Sequence, residues 1–161
     1  NQIIIIFLGF SFLLAYPFVI LKANQSFTLT GWMIGGFITI QMIGSIIGSF
    51  FLWRKMSDYK KMLKLSFIFV ILAFSFALLA SIPLNIDNNN PFLLFLYTDN
   101  NPIYLYGLVF LFFGLAMDGF SISGMNLIFE IAPEDKRPIY TALQSNITSI
   151  GLFFPIIGGF V

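Results

Sequence analysis

The sequence predicts an all-α membrane protein, a polytopic helical bundle with five transmembrane helices. Three observations carry that reading. Hydrophobic residues make up 58% of the chain and charged residues only 9%, against roughly 25% charged in an ordinary soluble domain. The few charges leave uncharged stretches over residues 1–21, 23–53, 65–86 and 138–161, which match the ~20 apolar residues that cross a ~30 Å hydrocarbon layer as a helix. Within them, a run such as "LSFIFVILAFSFALLASIPL" has none of the apolar–polar alternation over ~10 residues that marks a barrel strand. A helix also satisfies its own backbone hydrogen bonds in lipid, as an isolated strand does not.

The first span is placed at residues 2–21. It lacks the basic leading segment and small-residue cleavage site of a signal peptide, so it reads as a membrane helix. The second, 31–53, carries Gly31, Gly35, Gly36, Gly44 and Gly48. Two G-x-x-x-G spacings among them allow close backbone approach to a neighbour, and Gln41 at mid-span needs a partner. The third, 65–84, is apolar all round and has no glycine, as expected of a helix facing lipid over much of its girth. The fourth, 103–131, contains Asp118 near its centre. The fifth, 139–161, ends in "GLFFPIIGGF" and then Val161. Pro155 removes a backbone donor and bends that helix, while Gly158 and Gly159 admit a close neighbour. Because the sequence begins with Asn1 and Val161 falls inside an apolar run, both ends read as cut.

The connections fix the sidedness. Of eight Lys and Arg, Arg54, Lys55, Lys60, Lys61 and Lys64 lie between the second and third spans and Lys136 and Arg137 between the fourth and fifth. Antiparallel helices bring both connections to one face, with Lys22 alone opposite. The positive-inside rule then places loops 54–64 and 132–138 in the cytoplasm, of a plasma membrane or a bacterial inner membrane. The basic loop, Asp58 included, reads equally as a solvated positive-inside segment and as a latch between helices.

Other chemistries are excluded by what the chain lacks. A net charge of +1 gives no electrostatic footprint for nucleic acid. There is no Cys and no His, which removes thiolate and imidazole metal sites, disulfides and histidine-based dyads. No metal or cofactor is expected. A rhomboid-like intramembrane protease needs a histidine, and an aspartyl type needs a second carboxylate at membrane depth. The chain therefore reads as a non-enzyme.

The informative feature is Asp118. A carboxylate at the centre of a membrane helix costs at least ~2.5 kcal/mol, so something holds or uses it. On a helical wheel Gly107, Gly114, Asp118, Ser121 and Met125 fall on one side with Asn126 close by. The fifth span adds Thr141, Gln144, Ser145 and Thr148 at three- and four-residue spacing. The functional reading is a water-accessible cavity in which Asp118, Asn126, Gln41, Gln144 and Ser121 contact a proton, a cation or a polar solute. The structural reading is a carboxyl group hydrogen-bonded to neighbouring side chains that hold the bundle in register. Glu130 reads as a surface group able to pair with Lys136 or Arg137.

The loop "SDYKK", the connection "APEDKRPIY" and the following "PIIGG" together resemble one half of a major facilitator superfamily transporter. The stretch from Asn126 to Gly159 is similar to the cytoplasmic connection and fifth helix of such a half. In the family's G-x-x-x-D-[RK]-x-G-[RK]-[RK] loop only Asp58 stands in frame. Its antiporter-associated G-x-x-x-G-P-x-x-G-G keeps Pro155, Gly158 and Gly159 but has Ile150 and Phe154 in place of glycines, so antiport is not implied. The resemblance covers the chain as five consecutive helices of an MFS-like six-helix half, more closely the C-terminal half. It implies that the first and fourth helices line a central cavity, that the second and fifth face the other half, and that the third lies outside. The expected parent is a secondary active transporter that moves a small solute by alternating access, completed by the remainder of the transporter in a lipid bilayer. A non-transporting membrane scaffold or subunit of the same fold is the alternative.

Overall fold

The computed structural model describes residues 16–26, 29–56, 58–82 and 102–151. Every described element is helical: α1 (Tyr16–Ser26), α2 (Gly31–Ile47), α3 (Tyr59–Ser81), α4 (Ile103–Ile131) and α5 (Arg137–Gly151). α2 runs on through a π-helical turn, Gly48–Leu52, and a 3-10 turn, Trp53–Lys55. Three helical segments, Gly31–Lys55, Tyr59–Ser81 and Ile103–Ile131, are long and apolar enough to cross a membrane.

The helix ends follow from local chemistry. α3 starts at Tyr59 because the Asp58 carboxylate accepts the Lys60 N–H at 2.9 Å, an N-cap that satisfies a free backbone donor. α3 and α4 stop at Ile82 and Ala132, both in extended conformation. Each precedes a proline in the sequence, and a residue before proline is driven out of the helical region. α5 tolerates Pro138 because it lies in the first turn, where its missing N–H is not needed.

The boundaries correct several expectations. The fourth span is observed as expected, over Ile103–Ile131. The third begins six residues earlier, so Lys60, Lys61 and Lys64 ride on α3 rather than in a loop. Arg54 and Lys55 belong to the 3-10 turn; the connection expected over 54–64 narrows to residues 56–58. α1 continues past Leu21 to Ser26, and beyond it the Asn24 side chain accepts the Leu29 N–H at 3.2 Å. The first part of the first span and the end of the fifth, with Pro155, Gly158 and Gly159, lie outside the described residues.

Among the described helices α4 is central, packed along α2 on one face and α3 on the other. α2 runs parallel to it: Phe37 stacks on Phe110 with centroids 5.0 Å apart, and further along Ser49 meets Asp118. α3 runs antiparallel. Phe67 meets Phe120 edge-on at 5.0 Å, Phe74 meets Phe113 at 5.6 Å and Phe76 stacks on Phe112 at 5.6 Å. In lipid, burying apolar area between helices gains little, because the tails are equally apolar. Close packing and these ring contacts, about 0.5–1.5 kcal/mol each beyond area, are what select this arrangement. α3 buries one face on α4, with Ala73 and Ala80 along with Met62, Leu63 and Ser66, and leaves Ile68, Ile71, Leu78 and Leu79 exposed on the rest, as expected of a helix facing lipid over much of its girth.

The glycines of α4 serve a different neighbour in turn. A Cβ at Gly114 would run into the backbone of Gln41 and Ser45, and one at Gly44 of α2 into the backbone of Leu111. The two helices thus cross in backbone contact, the use small residues have at helix interfaces. Gly119 makes room for Ser66 of α3 and the Trp53 ring, and Gly124 for the Gln144 amide of α5. Of the two G-x-x-x-G spacings in α2, Gly44–Gly48 is packed, whereas Gly31 and Gly35 have nothing within 4 Å among the described residues.

Candidate functional site

Asp118 lies one residue beyond the midpoint of α4, roughly 20 Å from either end at 1.5 Å per residue. It is half-buried. The Ser49 hydroxyl donates to its Oδ2 at 2.5 Å, the short end of the range for O–H donating to a carboxylate. Ser49 belongs to the π-helical turn of α2. Such turns insert one residue into an α-helix and re-aim the side chains around them, often at functional sites. Here the turn follows directly on the Gly44–Gly114 crossing and brings a hydroxyl to the carboxylate at the middle of α4.

Trp53 closes the site from the side of the basic end. It is buried, edge-on to Phe69 at 6.1 Å, and lies between Gly48 of α2 and Gly119 of α4. Its indole N–H has no hydrogen-bond acceptor within the described residues. The pair sits nearer the basic end of α2 than the other: Ser49 precedes Lys55 by six residues, roughly 9 Å of helix rise.

The other expected contacts resolve differently. Gln41 does reach α4, where its amide N–H donates to the Met117 sulfur at 3.3 Å, next to Asp118 in sequence. Asn126 reaches α3 instead, donating to the Met62 sulfur at 3.4 Å. Gln144 packs against Gly124. Ser121 is exposed and is not brought to Asp118. Hence Ser49 and Asp118 meet at the α2–α4 interface, Gln41 reaches Met117 along the same interface, and Asn126 and Gln144 contact other helices. Ser66 and Ser123 are buried but bond to the carbonyls of Met62 and Phe120 on their own helices, a local satisfaction that serves no site.

Ser49 was not singled out by sequence reasoning, nor was Trp53. The signal was present: Gln41, Ser45 and Ser49 follow one another at four-residue spacing, a polar stripe on one face. Gly44 and Gly48 lie beside it.

A groove of about 510 Å³ opens between the first halves of α2 and α4, lined by Trp32, Phe37, Ile40, Tyr104, Leu108 and Leu111 among others. Its walls are apolar, and it lies on the other side of the Gly44–Gly114 crossing from Asp118. At the opposite end, Asp58 is committed to the Lys60 N–H and lies 4.0 Å from the Lys61 ammonium. Arg54, Lys55 and Lys60 are exposed beside it. Arg137 pairs with Glu134 at 3.7 Å and reaches the Phe129 carbonyl at 3.5 Å. The partner anticipated for Glu130 is thus taken by Glu134.

Chemically, a carboxylate beside a hydroxyl can hold a proton or a small monovalent cation. Among the described residues no group of three or more His, Cys, Asp and Glu could hold a metal ion. Neither a family model, a curated protein nor a solved structure matches the chain.

Proposed function

We propose that the chain is part of a membrane-embedded secondary transporter, of major facilitator type, that moves a small solute by alternating access. The observation that supports it is the Asp118–Ser49 contact: an ionisable group between two long apolar helices, met from the neighbouring helix by a hydroxyl on an irregular turn. Intramembrane carboxylates usually mark ion or proton paths. Irregular helical turns beside such groups are where transporters place their coupling sites. In this reading Asp118 takes up the coupling proton or cation, and Ser49 and Gln41 supply polar contacts beside it. The remainder of the transporter completes the solute path, and the basic turns face the cytoplasm.

A second reading draws on the same contact. Asp118 has a donor of its own, next to a crossing locked by Gly44 and Gly114, so it would serve as a pin in a non-transporting membrane scaffold. Uptake by the full-length protein in proteoliposomes, with and without an imposed pH gradient, separates the two. Transport predicts gradient-driven accumulation that Asp118→Asn abolishes while downhill exchange persists. Uptake indifferent to both the gradient and the substitution would remove the coupling role.

A further inference from the structure

We propose that the corner formed by the end of α2 and the start of α3 is a binding site for an anionic phospholipid. The inference rests on the three long helices lying in a membrane, and not on transport. At this corner Arg54 and Lys55 occupy the 3-10 turn, while Lys60, Lys61 and Lys64 occupy the first two turns of α3. All five are exposed. The one acidic residue among them, Asp58, is used as the helix cap and lies 4.0 Å from Lys61. Among the described residues no carboxylate pairs with Arg54, Lys55, Lys60 or Lys64.

The same end of the bundle carries acidic groups, which makes this lack of pairing informative. Glu130, Glu134 and Asp135 lie around the α4–α5 turn and are exposed. The ion pair made there is internal, Arg137 with Glu134. Charge is therefore segregated: a basic corner at α2–α3 and a mixed, acid-rich one at α4–α5. Lys60 and Lys64 stand four residues apart, on one face of α3, so their repulsion is relieved by an external anion.

What selects a lipid over a soluble anion is the surface next to the charges. Phe50 and Phe51, on the π-helical turn one helical turn before Arg54 and Lys55, are 63% and 66% exposed. A ligand that suits both levels has a phosphate at the cations and acyl chains against the two rings. Juxtamembrane basic clusters attract anionic lipid by about 1 kcal/mol per cation, which is roughly a fivefold change in affinity for each cation lost.

The test counts lipids bound to the full-length protein in detergent by native mass spectrometry, titrating phosphatidylglycerol and phosphatidylcholine separately. The expected result is selective retention of phosphatidylglycerol. In Lys55→Gln/Lys60→Gln that retention should fall by roughly thirtyfold, two cations' worth, with phosphatidylcholine binding unchanged as the check on folding. Lys136→Gln, at the acid-rich corner, should leave it intact. Equal binding of the two lipids would overturn the proposal, as would an equal loss in Lys136→Gln. Displacement of phosphatidylglycerol by millimolar inorganic phosphate would overturn the lipid and leave a free-anion site.

Discussion

Ser49 and Asp118 form a single hydrogen bond between two helices long and apolar enough to cross a membrane. Asp118 was legible in the sequence because a charge inside an apolar run has a cost that demands a partner. Ser49 was not, since a serine is nearly neutral in a membrane helix and usually bonds to its own backbone, as Ser66 and Ser75 do. Only the fold told them apart, by turning one hydroxyl toward α4. Replacing Ser49 by Ala leaves the carboxylate without its donor and should lower stability by about 1–3 kcal/mol, read from thermal or denaturant unfolding in detergent. Asp118→Asn keeps an oxygen that can accept from Ser49 and should cost less than Ser49→Ala. If Ser49→Ala proves neutral for stability, the contact is not what holds the carboxylate.

At the scale of the helices, hydropathy located the spans but not their neighbours. α2, α3 and α4 are all apolar, and nothing in their composition says that α4 lies between the other two. Glycine placement gave part of the answer, since Gly44 and Gly114 mark where backbones meet. Yet Gly31 and Gly35 have the same spacing and meet nothing among the described residues, so the motif alone could not say which pair is used. The two should respond oppositely to mutation. Gly114→Ala puts a methyl into the Gln41 backbone and should destabilise by about 1–3 kcal/mol, the usual cost of overpacking. Gly35→Ala meets open space and should be neutral, or gain up to about 1 kcal/mol from helix propensity. Trp53→Ala removes the ring packed between Gly48 and Gly119 and should cost about 3–5 kcal/mol. Unfolding of the three variants in one detergent checks the ranking, and equal effects at Gly114 and Gly35 would contradict the crossing. The bounds of α4 were read correctly, whereas α3 was placed at 65–84 although Asp58 as a cap and Pro83 as a terminator mark nearer limits.

For the whole molecule, the parallel course of α2 and α4 with α3 reversed puts Arg54, Lys55 and Lys60 at the same end as Lys136 and Arg137, and Lys22 at the other. This stretch has no cysteine, so single substitutions Lys55→Cys, Lys136→Cys and Lys22→Cys report sidedness once any cysteine elsewhere in the full-length protein is replaced. The first two should react with an impermeant thiol reagent from one side of sealed vesicles and the third from the other. Labelling of Lys55→Cys and Lys136→Cys from opposite sides would break the helix arrangement and the positive-inside assignment together. The central claim is narrower: that Asp118 is met by the π-helical turn of α2 rather than left to lipid. Cross-linking of Ser49→Cys with Asp118→Cys in membranes, by a reagent a few ångströms long, tests it most directly. The account predicts rapid cross-linking of that pair and none for Ile38→Cys with Asp118→Cys in the same protein. Equal reaction of both pairs, or of neither in a folded protein, would contradict it.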